Sequence, residues 1–216
     1  MVSIRRQVEL LEKNRPRQER AKRTYEGILA AAAELLLEVG VERISTNLIA
    51  ERAGVTVPAL YRYFPNKYSV LHALGTLLMD RQNEVFADWF DAQSAGGKPE
   101  QLLDSVYDVL KSTYDVTLEQ TAGLEIIQSL RAVAPLQQLR LESHALVSRQ
   151  FATAAAELLG QPVDDQLVLR ARVSVETGYS VIEMALEEEP AMAPGILSEG
   201  AIMMRSYWLN VLSRQR

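Results

Sequence analysis

The chain has 216 residues, 48% hydrophobic and 24% charged, enough apolar material to bury a core in one domain or two small ones. Cysteine is absent, which excludes disulfides and thiolate metal sites and agrees with a reducing cytoplasm. The net charge of −5 is uneven: residues 1–72 carry 12 Lys and Arg against 8 Asp and Glu, and the remaining 144 carry 11 against 20.

A basic head on an acidic body can still bind DNA, because phosphate attraction is a local field effect. No apolar run reaches the ~18 residues that a bilayer span needs, and no signal peptide is visible, so no membrane partner is expected.

In chain order, residues 1–16 hold Arg5, Arg6, Lys13, Arg15 and the helix-resisting Pro16. They read as a mobile basic arm with room for a short helix around Val8–Leu11. A firm helix is predicted from Arg17 to Val39, with an apolar stripe of Ile28, Ala32, Leu35, Leu36 and Val39 and a C-cap at Gly40.

Residues 46–67, TNLIAERAGVTVPALYRYFPNK, carry the most information. They read as two short helices, Ser45–Ala53 and Val57–Phe64, joined by a tight turn. Thr46 can cap the first, with Ile49, Ala50 and Ala53 on one face. Gly54 supplies the positive φ of the turn, and Val55 follows as a buried plug. Thr56 can cap the second helix, whose first turn tolerates Pro58. Leu60 and Phe64 face inward, which leaves Val57, Pro58, Ala59, Tyr61, Arg62 and Tyr63 outward. A small residue four positions before the turn glycine and an aliphatic one six after it suit a helix-turn-helix whose second helix enters the major groove.

A long helix follows, about Asn66–Gln93, and SAGGK at 94–98 breaks it. The next, about Pro99–Glu119, sets a polar stripe of Glu100, Asp104, Asp108, Lys111 and Asp115 against an apolar one of Leu103, Val106, Tyr107, Leu110 and Tyr114. Helices over Leu124–Val133, Leu136–Leu159, Asp164–Glu188 and Gly195–Ser213 complete an all-α chain without strand alternation. The run Glu187–Glu189 reads as a solvated helix end, and neither a metal site nor a cofactor is expected.

In -T-x-x-I-A-x-x-A-G-V-…-L-Y-x-Y-F-x-N-K- the chain resembles the TetR family of bacterial transcription regulators, over roughly residues 24–72. Beyond that stretch only size and helical character agree. The resemblance implies an N-terminal three-helix helix-turn-helix domain joined by a long helix to a helical ligand-binding and dimerisation domain. The expected division is 1–16 arm, 17–65 DNA-binding domain and 66–216 effector-binding and dimerisation domain. It further implies a homodimer, a double-stranded operator of palindromic or near-palindromic sequence, a small-molecule effector, and repression as the family's majority behaviour.

By the same resemblance Val57, Pro58, Ala59, Tyr61, Arg62 and Tyr63 form the recognition surface. Arg62 can give paired hydrogen bonds to guanine, and Val57, Pro58 and Ala59 can pack on thymine methyls. Tyr61 and Tyr63 are expected on phosphate through their hydroxyls. Thr46 and Asn47 open a helix whose free N–H groups favour phosphate. Lys67 occupies the family's usual phosphate-binding lysine position. Arg15, Arg17, Arg20, Lys22 and Arg23 either enter a minor groove or add nonspecific attraction.

No motif marks an effector site. Phe86, Trp89, Tyr107, Tyr114, Gln128, Arg131 and His144 combine aromatic surface with polar groups and are the pocket candidates, with plain core as the alternative and with surface exposure expected of Arg131 and His144. The aromatic content suggests a hydrophobic or amphipathic effector. Small residues on the last two helices make Ala171, Val175, Gly178, Ile182, Leu197, Ala201, Met204 and Trp208 the dimer candidates, with packing inside one subunit as the alternative, and both can hold at once. An enzyme is disfavoured: only His72 and His144 are present, with no glycine-rich phosphate loop and no H-E-x-x-H pair. The remaining rival is a helical adaptor that has lost DNA binding.

Overall fold

The computed structural model describes residues 9–13, 16, 18–94 and 99–213, apart from the side chains at 93, 94, 99–101 and 158. Among them, α1 spans Glu19–Arg43, α2 Thr46–Arg52, α3 Val57–Tyr61, α4 Lys67–Ser94, α5 Pro99–Asp104 and α6 Val106–Glu119. Then come α7 Gly123–Ala132, a 3-10 turn at Ala134–Leu136, α8 Gln137–Leu159, α9 Asp165–Glu187 and α10 Ala193–Ser213. The chain forms two units, one of residues up to 79 with 120–140, the other of 80–119 with 141–216. The expected linear division at residue 66 therefore differs from the observed one. The boundary falls within α4, and α7 joins the N-terminal unit by packing on α1.

In the first unit the Ala- and Leu-rich middle of α1 buries Ile28, Leu29, Ala31, Ala32, Ala33, Leu35 and Leu36. Gly40 breaks that helix as expected, at φ 72° and ψ 170°, before one further turn to Arg43. Two local expectations change. The cap of α2 is Ser45, whose hydroxyl accepts from the Leu48 N–H at 3.2 Å, so Thr46 is the first helical residue rather than the cap. The segment 9–11 is not helical, and Val8 lies outside the described residues. Instead the Lys13 N–H donates to the Tyr63 carbonyl at 2.8 Å, and the Asn66 amide donates to the Glu9 carbonyl at 2.8 Å. The arm is thus tied to the turn between α3 and α4 over this stretch. Arg5, Arg6, Arg15 and Arg17 lie outside the described residues.

In the second unit, the helix expected over Pro99–Glu119 is broken at Ser105. The Ser105 hydroxyl donates to the Leu102 carbonyl at 3.0 Å, so a side chain competes with the backbone ladder. The Trp89 indole N–H then reaches both the Ser105 carbonyl and its hydroxyl, at 3.1 and 3.0 Å. The expected break at 94–98 begins where α4 ends, at Ser94, and residues 95–98 lie outside the described ones. α10 packs on α9 and α6. Its contact with α9 is close at Gly200, where an added Cβ would meet Val181 Cγ1 at 2.6 Å.

Candidate nucleic-acid interface and effector cavity

The helix-turn-helix is held from three sides. Leu60 and Phe64 are fully buried, and the Tyr25 ring stacks on Phe64 with centroids 5.1 Å apart. Arg52, at the end of α2, reaches Glu38 of α1 with both terminal nitrogens, at 2.8 and 2.6 Å, and Glu34 at 3.2 Å. Its hydrogen bonds to Glu38 hold the Glu38 carboxyl below its ordinary value. Gly54 has φ 64°, and the Thr56 hydroxyl caps α3 by accepting from the Ala59 N–H at 3.3 Å. Val55, expected as a buried plug, is only half-buried.

With Leu60 fixed inward, the opposite side of α3 is open. Pro58, Tyr61 and Arg62 are exposed, and Val57, Ala59 and Tyr63 are half-buried. α3 is shorter than expected and ends at Tyr61, so Arg62 sits at its C-cap in a helical conformation. The Tyr61 and Thr46 hydroxyls share a hydrogen bond of 3.1 Å, which brings the start of α2 and the end of α3 to one point. Asn47 is exposed next to it. The Tyr63 ring meets the Tyr25 ring edge-on at 6.1 Å. Arg20 and Arg23 line a surface groove with Ala53 and Val55 of the turn, whereas Lys22 is paired with Glu19 at 2.8 Å.

Lys67, expected on phosphate, has carbonyl partners within the chain. Its ammonium donates to the carbonyls of Val41, Glu42 and Ile44 at 3.1, 3.3 and 3.0 Å. These are the orphan acceptors after the break at Gly40, and three bonds match the three donors of an ammonium. Its geometry is that of an anchor between α4 and the end of α1.

The second unit contains a cavity of about 60 Å³. Phe86 and Trp89, two of the expected pocket residues, lie on its wall with Gln82, Tyr179 and Met204. The others do not. Tyr107 and Tyr114 belong to the apolar core formed with Val106, Leu110 and Leu197. Gln128 and Arg131 stand on α7 in the first unit, Gln128 being exposed and Arg131 half-buried.

His144, expected at the surface, is 2% exposed. Its ring stacks on Tyr179 with centroids 4.1 Å apart, and Nδ1 lies 3.1 Å from Glu176 Oε2. Burial alone would raise the Glu176 carboxyl, but His144 and Arg172 together hold it below its ordinary value. Burial, with help from the Glu176 charge, pushes the Tyr179 phenol up, so it stays neutral. Gln82 was missed by sequence reasoning. Its only signal was an amide inside a helix whose neighbours are apolar, which does not distinguish a buried glutamine from a solvated one.

The dimer candidates pack mainly within the one chain. Ala171, Val175, Gly178, Ile182, Leu197, Ala201 and Trp208 are buried within the one chain, and Met204 is half-buried on the cavity wall. Their small side chains serve packing of α9 on α10. The apolar residues left exposed on these two helices are Leu169, Val173, Met184, Ile202, Met203 and Tyr207.

A capped three-helix head with an open recognition helix, on a chain whose regular elements among the described residues are all helices, defines the class of helix-turn-helix DNA-binding proteins. Residues 28–74 match the family described as bacterial regulatory proteins, tetR family. The chain is 38% identical over 151 residues to the HTH-type transcriptional repressor KstR of Mycolicibacterium smegmatis, covering 68% of each. It is 44% identical over 54 residues to the class C tetracycline repressor protein of Escherichia coli, spanning a quarter of that protein's length. Among solved structures, a TetR-family transcriptional regulator from Streptomyces coelicolor shares 26% identity at a TM-score of 0.55, covering 87% of this chain and 99% of that one. SmeT, solved as a complex with triclosan, shares the fold at 22% identity and a TM-score of 0.59, over 84% of this chain and 89% of that one. The chain belongs to the tetR family of bacterial regulatory proteins.

Proposed function

We propose that the protein is a homodimeric, cytoplasmic transcriptional repressor that reads a palindromic operator with α3 and is released from it by a small molecule. The observation that carries the DNA half is the fixed orientation of α3. Leu60 and Phe64 bury one side, and the opposite side presents Tyr61 and Arg62 beside Thr46 and Asn47. Arg62 serves as the base-reading side chain and Val57, Pro58 and Ala59 as the apolar surface for thymine methyls. Tyr61 and Thr46 present their linked hydroxyls to one phosphate, next to Asn47 and the free N–H groups opening α2. Tyr63 adds its hydroxyl at the margin of the same surface. Lys67 acts by holding α4 to the end of α1.

The cavity supports the effector half, as does the triclosan bound by SmeT. Release requires that the effector bind one arrangement of the dimer better than the other. α4 is the natural lever, since it carries Lys67 at one end and the wall residues Phe86 and Trp89 towards the other. The exposed apolar side chains of α9 and α10 supply the dimer face.

The test is selection of bound duplexes from a random pool by the purified protein. An enriched inverted repeat is the expected result. Failure of a folded protein to enrich any sequence at moderate salt, with or without small molecules added, defeats the reading and favours a helical adaptor.

A further inference from the structure

We infer that the cavity of the second unit takes a neutral, largely apolar small molecule that donates one hydrogen bond, from a hydroxyl or N–H, to Oε1 of Gln82. This rests on the effector half of the reading above and gives that effector a chemistry. Gln82 is 1% exposed and lies on the cavity wall. Its Nε2 donates to the Thr117 hydroxyl oxygen at 2.7 Å. That hydroxyl spends its own hydrogen on the Thr113 carbonyl at 2.7 Å, so towards Gln82 it can only accept. The amide is therefore oriented by its partner: nitrogen towards Thr117, oxygen the other way. Oε1 is left buried without a hydrogen-bond partner among the described residues.

A buried amide oxygen in this state is costly, and such orphans call for an occupant. Other polar groups of the wall are already engaged. The Thr113 hydroxyl donates to the Val109 carbonyl, that of Ser174 donates to the Arg170 carbonyl and accepts from Trp208, and the Trp89 N–H is held by Ser105. Among the described residues the wall contains no charged side chain, so an ion there would lose its hydration without gaining a partner. A ligand with acceptors alone would set lone pair against lone pair at Gln82. A neutral donor on an apolar frame satisfies both the oxygen and the aromatic and aliphatic surface of Phe86, Trp89, Leu110 and Met204.

The experiment is calorimetric titration of the full chain, without DNA, with three probes of one frame: 4-butylphenol, its methyl ether 4-butylanisole, and 4-butyltoluene. Only the phenol can donate. We expect saturable binding of the phenol, with the ether weaker by about tenfold or more, because it places an oxygen against Oε1 without a hydrogen. In Gln82→Met, or Gln82→Leu should the first fold poorly, the preference for the phenol over the toluene should fall by about tenfold. The variant loses both an orphaned acceptor and the bond from Nε2 to Thr117, so its melting temperature is read alongside to show that it is folded. Equal binding of phenol and ether, an unchanged preference in the variants, or no saturable binding of any probe overturns the inference. A water held by Gln82 as its only partner would give this last result. Adding the phenol to the protein–operator complex is a separate measurement. Donor-selective binding without release leaves the site standing and removes the effector role, whereas release of DNA by all three probes alike keeps that role and removes the donor requirement.

Discussion

Arg62 and Lys67 look equivalent as basic residues five apart, and their surroundings give them different work. Arg62 is exposed at the end of α3, while Lys67 bonds three carbonyls at the end of α1. Arg62→Ala should cost about 1–3 kcal/mol on the best operator and relax preference at one position, read by competition between duplexes. Lys67→Ala should lower the melting temperature and leave the slope of log K against log salt unchanged, because no phosphate contact is lost. A slope reduced by about one would restore the phosphate role. Lysine at that position was legible as important in the sequence. Its partners were not, because Val41, Glu42 and Ile44 come to it only through the turn after Gly40.

His144 and Glu176 make a second residue-scale case. The native Glu176 carboxyl titrates below its ordinary value of 4.5, so its stabilisation is complete above that value and is lost as pH falls through the lowered native one. Glu176→Gln should therefore be less stable than the parent near neutrality, and the gap in urea midpoints should close as pH falls below 4.5 and through the lowered native value. A gap that stays constant until the parent itself unfolds in acid would remove Glu176 from the acid response.

At the scale of elements, helix starts and stops followed from local chemistry, with small shifts. Gly40, Gly54 and Thr56 act where their residue types suggested, and a serine one position earlier takes the cap expected of Thr46. The break at Ser105 was hidden because serine is compatible with a helix interior, and only the competing bond to Leu102 and the Trp89 indole favour interruption. The small residues of α9 and α10 were recognised as close-packing positions, but the partner helix was not. Gly200→Ala tests this. Helix propensity alone favours alanine by about 1 kcal/mol, yet the new methyl would press on Val181, whose branched side chain has little freedom to move. A net loss of about 1–3 kcal/mol is expected in denaturant unfolding, and a gain would show that the helices can separate at no cost.

At the scale of the whole molecule, burial separates the two readings of the last helices. Residues buried within one chain are not available to a second, so the proposed dimer must use the exposed apolar set. Leu169, Val173 and Met184 recur on one side of α9, and Met203, 63% exposed, stands near Ile202 and Tyr207 on α10. Met203→Glu should shift the protein from dimer to monomer in sedimentation and weaken operator binding by at least about tenfold, since each half-site is then bound separately. Trp208→Ala should instead disturb the fold, because its indole is buried and bonded to Ser174. An intact dimer in Met203→Glu would move the interface elsewhere.

By itself the sequence determined an all-α chain, the helix-turn-helix with its inward Leu60 and Phe64, the family, and the separation of a basic head from an acidic body. These follow from periodicity, caps and turns, which act over a few residues and leave their mark in local order. Tertiary structure decided which amphipathic faces meet. It sent Lys67 to the carbonyls after Gly40, joined α7 to the head, gave His144 a carboxylate partner and spent the small residues of α9 and α10 inside one chain. It also placed Gln82 on a cavity wall with a buried oxygen that has no hydrogen-bond partner among the described residues. Each of those outcomes depends on residues distant in sequence, and an apolar stripe records that it will be covered without recording by what.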